Sequence, residues 1–209
     1  MIDLYTWGTP NGKKASIACE EMGVEYKVHP VDIMKNETKR PEFLKISPNG
    51  KIPTIVDGDA GLSLMESGAI LFYLANKTGK FLPSDPHEYW RCVEWMNWQV
   101  GGFGPMLGQA NHFLKFNKGK SDYAEKRYGE ESARLYAVLD KHLGDHDYVA
   151  GKSYSIADMM IFPWATTFGF QNVDIAKHKN IVRWYKLVAA RPAVQRGWNV
   201  PSKGEIPKV

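Results

Sequence analysis

The sequence predicts an α/β domain on a small mixed sheet followed by an all-helical domain. Three observations carry this. Up to about residue 80 the segments are short and alternate between strand-like and helix-like patterning. Gly79, Pro83 and Pro86 then break the chain where the composition changes. Beyond them the segments are long and follow a helical period. The expected boundaries are 1–78 for the first domain, 79–86 for a linker and 87–209 for the second domain.

Ile2–Thr6 alternates as a strand does. From Asn11 the chain turns helical, with Ala15, Ala18, Cys19 and Met22 on one face, and Gly23 ends that helix. Glu25–His29, Thr54–Asp57 and Leu62–Leu64 read as three more strands, the last two joined by the turn Asp57-Gly58-Asp59-Ala60-Gly61. Glu66–Asn76 is apolar at nearly every position, so that helix is expected to be covered on more than one side. In the second part, Glu88–Phe116 reads as a helix pair or one bent helix, interrupted at Gly101-Gly102-Phe103-Gly104-Pro105. Asp122–Leu143 is a long helix. Ser155 reads as an N-cap with Asp158 three positions later, and Ile181, Trp184, Tyr185 and Val188 form a stripe stopped by Pro192.

Composition narrows the function. Hydrophobic residues at 44% and charged residues at 24% of 209 exclude disordered, collagenous and coiled-coil classes. Two cysteines are too few for a disulfide framework. No signal peptide is read in the first thirty residues, and no apolar run approaches the ~18–20 residues that cross a bilayer, so a cytoplasmic protein free of membrane is expected. The net charge of +4 is scattered rather than clustered, which argues against nucleic acid as a partner. His142 and His146 lack a third convincing ligand, and no metal is expected. Cys19 and Cys92 both fall inside helices, away from the termini and cations that activate thiols; a reacting thiol must therefore arrive with a ligand.

Three clusters stand out. Thr9-Pro10-Asn11-Gly12 sits between the first strand and first helix, where backbone N–H groups and the positive end of the helix dipole favour an anion or thiolate. The plainer reading is that Asn11 is an N-cap. Asn49-Gly50-Lys51-Ile52-Pro53 precedes a strand, and a cis Ile52–Pro53 bond there presents the preceding backbone to a ligand; an ordinary turn is the alternative. Glu66-Ser67 opens a helix, and a carboxylate beside a hydroxyl and helix-terminal N–H groups suits an amino-acid zwitterion, unless it too is only a cap.

With these residues in hand a resemblance becomes specific. Ser47-Pro48-Asn49-Gly50-Lys51-Ile52-Pro53, Glu66-Ser67-Gly68-Ala69-Ile70, Tyr154-Ser155-Ile156-Ala157-Asp158 and Arg191-Pro192 resemble, in order along the chain, the cytosolic glutathione transferases. Thr9-Pro10-Asn11-Gly12, Arg40-Pro41-Glu42-Phe43 and Trp98-Gln99-Val100-Gly101-Gly102 are similar to the bacterial nu class, glutathione-dependent disulfide-bond oxidoreductases. The resemblance implies a thioredoxin-like first domain, an all-α second domain, a homodimer, and glutathione as co-substrate. The second substrate is implied to be a small disulfide, hydroperoxide or electrophile. It further implies catalytic roles for Thr9 and Asn11 at the ligand sulfur. Glutathione contacts are implied from Asn11, Ile52 beside cis Pro53, Glu66, Ser67 and Gln99. Thr38 stands where nu-class relatives usually have glutamine, leaving Lys39, Lys51 and Arg127 as candidates for the glycyl carboxylate. Phe103, Met106, His112 and Phe113 are the expected second-substrate wall. An aryl-conjugating transferase and a non-catalytic binding protein of the same fold are the alternatives.

Overall fold

The computed structural model describes residues 1–209 and divides into two units, Met1–Leu82 with Ala190–Ile206, and Pro83–Ala189 with Pro207–Val209. The first unit contains β1 (Ile2–Thr6), α1 (Pro10–Met22), β2 (Tyr26–Pro30), α2 (Pro41–Ile46), β3 (Thr54–Asp57), β4 (Leu62–Met65) and α3 (Ser67–Thr78). The sheet order is β2-β1-β3-β4, with β1 parallel to β2 and antiparallel to β3, and β3 antiparallel to β4. This is the mixed sheet expected of a thioredoxin-like domain. The second strand runs one residue later than its sequence pattern indicates, and β4 extends to Met65.

Strand alternation assigns the faces. Ile2, Leu4 and Thr6 are buried, whereas Tyr5 points to the other face, stacked on His29 at 4.6 Å and edge-on to Phe43 of α2. In α1 the stripe Ala15, Ala18, Cys19 and Met22 is buried as its spacing predicts, and Gly23 closes the helix in the left-handed conformation. Register decides where the loops go. Tyr5 pairs with Thr54 and Thr54 with Met65, so the β1–α1 loop, the segment before β3 and the start of α3 leave the sheet at one end.

The C-terminal segment departs from the expected 87–209 domain. The tail helix, Pro192–Trp198, packs on α1 in the first unit. Gly197 makes the approach possible: a Cβ there would lie 2.6 Å from the Ile17 Cα. Ser16 Oγ donates to Gly197 O at 2.7 Å, Lys13 Nζ donates to the Trp198 and Val200 carbonyls, and Arg191 pairs with Glu21 through both carboxylate oxygens. Pro192 opens this helix rather than only stopping the previous one.

The second unit is helical: α4 (Pro86–Trp98), α5 (Gly104–Ala110), α6 (Asp122–Leu143), α7 (Ile156–Ala165) and α8 (Lys179–Ala189). The glycine-rich interruption falls between α4 and α5 without leaving the helical conformation. It is a π-helical turn, Gln99–Phe103, linking α4 to α5, and a second, Asn111–Phe116, follows α5. Ser155 and Asp158 close a capping box on α7. Asp158 is shorter than the usual glutamate, but Val149 N–H and Trp184 Nε1 donate to its other oxygen at 2.9 and 2.8 Å and anchor it. Ile181, Trp184, Tyr185 and Val188 are the buried face of α8.

Candidate functional site

The end of the sheet where the three loops meet gathers the three sequence clusters. At the first, Thr9 rather than Asn11 is the N-cap of α1: its hydroxyl oxygen accepts from Gly12 N–H at 3.3 Å. Thr9 keeps its hydroxyl hydrogen for a second partner. Asn11 lies in the first turn of α1, half-buried. No acidic residue sits in that turn, so no carboxylate of the helix itself offsets the positive end of its dipole.

Gly12 fixes this corner. A Cβ there would meet Trp7 O at 2.1 Å and Thr6 Oγ1 at 2.6 Å, so only glycine lets the loop fold down on the helix. Sequence patterning gave no indication of that contact. Tyr5 cannot serve as a catalytic phenol from its place on the opposite sheet face, and burial, with Asp3 nearby, raises its pKa further.

At the second cluster the Ile52–Pro53 bond is cis. The turn before it is held by Gly50 N–H donating to Ser47 O at 2.8 Å and by Ser47 Oγ and Thr54 Oγ1 donating to Lys51 O. Gly50 has φ +61, and a Cβ on it would touch Thr38 O and Lys39 Nζ at 3.0 and 3.2 Å. Thr38 thus borders this corner through its carbonyl, while its residue is only 8% exposed. Lys39 and Lys51 are exposed.

The third cluster joins the other two. Asn49 Nδ2 lies 3.5 Å from Glu66 Oε1, a link between clusters that the sequence did not reveal. Glu66 holds φ +70 and ψ 114, a conformation L residues avoid and one that costs on the order of 1–3 kcal/mol. Lys14 of α1 reaches Ser67 at the start of α3, Nζ to Oγ 3.4 Å. Sequence reasoning passed over Lys14 because a lysine in a helix is ordinarily a solvated residue.

The remaining candidates lie in the second unit. Met106 and Arg127 border one groove of about 610 Å³, together with Tyr123, Lys126, Tyr128 and Arg134. Phe113 stacks on Tyr128 at 5.6 Å, with His112 edge-on to it. Phe103 is a correction. Its ring is fully enclosed between Trp98 and Tyr136 as a core residue of this unit, so it presents no surface to a ligand. Gln99 is likewise buried, at 1% exposure. His142 and His146 bond to loop and helix carbonyls, and no group of three or more potential metal ligands exists. No helix is long and apolar enough to cross a membrane.

Residues 1–76 match the family model described as the N-terminal domain of glutathione S-transferase, and residues 102–192 match that of its C-terminal domain. The chain belongs to the glutathione S-transferase family. Among curated proteins this glutathione S-transferase is 46% identical over 198 residues to the disulfide-bond oxidoreductase YfcG of Escherichia coli K12, covering 92% of each chain. It is 38% identical to YghU, another E. coli disulfide-bond oxidoreductase, covering 94% of this chain and 73% of that one. A Burkholderia graminis glutathione transferase with two glutathione molecules bound per subunit superimposes with a TM-score of 0.91 at 42% identity, covering 97% of this chain and 89% of that one. A Pseudomonas putida glutathione transferase with one glutathione disulfide per subunit gives 0.91 at 40%, covering 96% and 92%.

Within this transferase neither protein thiol is placed to react. Cys19 and Cys92 are fully buried, and desolvation pushes their pKa values up to about 12 and about 11.

Proposed function

We propose that this protein is a glutathione-dependent disulfide reductase in which the thiolate of bound glutathione is the nucleophile. The carrying observation is the pairing of a helix N-terminus with no acidic residue in its first turn, furnished with Thr9 and Asn11, with two protein cysteines that are buried and hard to ionise. A free thiol with a pKa of ~8.5 is only a few per cent thiolate at neutral pH. Each unit of lowering requires ~1.4 kcal/mol of preferential thiolate stabilisation, a scale that a hydroxyl donor, an amide donor and a helix terminus together reach.

Glutathione is held by the elements around that corner. Glu66 pairs with the α-ammonium of the γ-glutamyl group, Ser67 donates to its carboxylate, and the backbone of Ile52 pairs with the cysteinyl residue. Lys39, whose Nζ lies with Thr38 O against Gly50, takes the glycyl carboxylate in place of the shortened Thr38 side chain. The first thiolate attacks one sulfur of the substrate disulfide, expelling one thiolate and forming a mixed disulfide. A second glutathione thiolate then attacks the glutathionyl sulfur, expelling the other thiolate and leaving glutathione disulfide. Two protons from the glutathione thiols end on the two product thiols. The relatives that hold two glutathiones or one glutathione disulfide per subunit support this stoichiometry. Assembly as a homodimer, residence in the cytoplasm and organic hydroperoxide reduction as a side activity belong to the same proposal.

The test compares steady-state rates with hydroxyethyl disulfide, cumene hydroperoxide and chlorodinitrobenzene, for the intact protein and for the Cys19→Ala, Cys92→Ala double variant. The disulfide rate is expected to be the highest, with the double variant retaining it. A chlorodinitrobenzene rate above the disulfide rate favours the aryl-conjugating reading. Turnover lost with the cysteines refutes the borrowed-thiol mechanism.

A further inference from the structure

Lys14 and its neighbour Lys13 are both buried in α1, yet they turn different ways. Lys13 is spent on the tail carbonyls of Trp198 and Val200. Lys14, 2% exposed, extends along α1 to the first turn of α3, with its Nζ 3.4 Å from Ser67 Oγ. Burying an ammonium is costly, and helix packing alone is served better by methionine or leucine.

Hydrogen-bond direction gives the lysine a use. A hydroxyl has one hydrogen and two lone pairs, whereas an ammonium has hydrogens only. When Lys14 donates to Ser67 Oγ, the hydroxyl hydrogen cannot point back at Nζ and must seek another acceptor. We infer that Lys14 is a positioning residue whose ammonium aims the Ser67 hydroxyl at the α-carboxylate of the γ-glutamyl group and offsets that carboxylate's charge beside Glu66. The inference rests on the glutathione reading above. Electrostatics agree with it: burial lowers the Lys14 pKa well below its ordinary range while Glu66 pulls it up, and an arriving carboxylate pulls in the same direction as Glu66. Protonation of Lys14 and binding of the γ-glutamyl end therefore reinforce each other.

The test uses S-methylglutathione, which removes thiol ionisation from the measurement, and its analogue without the γ-glutamyl α-carboxylate, S-methylated 4-aminobutyryl-cysteinyl-glycine. Dissociation constants of both are measured by calorimetry on the intact protein and on Lys14→Met. Loss of the carboxylate is expected to weaken binding to the intact protein about tenfold or more and to Lys14→Met less than about twofold, the signature of a charge-assisted contact made through Lys14. An equal carboxylate effect in both proteins overturns the assignment, since a merely structural lysine weakens both peptides alike. With glutathione itself, KM is expected to rise about tenfold in Lys14→Met with kcat little changed. If Lys14→Met does not fold, a crystal structure of the intact protein with S-methylglutathione decides. Ser67 Oγ within hydrogen-bond distance of both Lys14 Nζ and a carboxylate oxygen supports the assignment, and a Ser67 turned away from either overturns it. Failure of both peptides to bind the intact protein overturns the glutathione reading as well. Binding without coupling overturns the Lys14 assignment alone.

Discussion

Replacing Gly12 with alanine tests whether the loop bearing Thr9 is positioned to within an ångström. The added Cβ would sit 2.1 Å from Trp7 O and 2.6 Å from Thr6 Oγ1, against an ordinary contact of about 3.4 Å, so the loop and the first turn of α1 must part by about 1 Å. Overpacking of this kind costs about 1–3 kcal/mol of stability, which a folded domain survives. The catalytic consequence is larger, because a displacement of about 1 Å at a reacting centre costs on the order of 100-fold in rate. The assay is glutathione-dependent reduction of hydroxyethyl disulfide, with thermal unfolding followed in parallel. Gly58→Ala serves as the reference, since a Cβ there meets nothing within 4 Å. Gly12→Ala is expected to lose about two orders of magnitude in turnover while still unfolding cooperatively, and Gly58→Ala to match the parent. Turnover in Gly12→Ala within about threefold of the parent would refute the claim that this corner activates the sulfur.

Other consequences follow from the same geometry. On the proposed mechanism Asn11→Ala removes one donor to the thiolate, so turnover at neutral pH should fall about tenfold and recover as pH rises, whereas Cys19→Ala should stay near the parent rate; pH–rate profiles of both variants check this. The Asp57 carboxyl accepts from Lys77 Nζ at 2.6 Å and from the Tyr73 hydroxyl at 2.5 Å, contacts that lower its pKa from 3.8 to about 2. Its folded-state pKa is depressed, so its contribution to stability is present above about pH 4 and is lost as pH falls through about 2. Asp57→Asn should flatten that acid limb in urea unfolding measured from pH 5 downward. Asp158→Asn sets an amide NH2 or a weaker acceptor against the N–H donors of Ser155, Val149 and Trp184 and should cost about 2–4 kcal/mol, read by denaturant unfolding. Gly197→Ala should release the tail from Ile17 and lower the melting temperature by several degrees, as expected for about 1–3 kcal/mol of overpacking.

What the sequence made legible is what local patterning encodes. The burial of Ala15, Ala18, Cys19 and Met22, the full extent of α6 and the Ser155 cap follow from periodicity and terminal residues, whereas the burial of Lys13, Lys14 and Ser16 on the other faces of α1 does not. The tail was not legible: nothing local in Pro192–Trp198 says that Gly197 rests on Ile17, a contact made across 180 residues of chain. Nor was the π-helical continuity through Gly101 and Gly102 legible, because glycines that often end a helix here widen one. At the candidate site the three clusters were visible as motifs, and the family resemblance implied that they share one ligand, but local patterning did not display how the fold joins them. Their union follows from the pairing of Tyr5 with Thr54 and of Thr54 with Met65, which a single sequence does not display. Thr9 took the capping role from Asn11 because Pro10, which lacks an N–H, suits the first helical position and leaves Thr9 to accept from Gly12. Phe103 was misread as a pocket wall because an aromatic on a helix has the same pattern whether it faces a ligand or the core.

The central claim concerns where the sulfur of bound glutathione lies, and a crystal structure of the protein soaked in glutathione measures it directly. The account predicts Glu66 and Ser67 at the γ-glutamyl end, with the sulfur at the N-terminus of α1 in hydrogen-bond contact with the Thr9 hydroxyl or the Asn11 side-chain amide. Glutathione bound with its sulfur turned away from both, or found only elsewhere on the molecule, would contradict it.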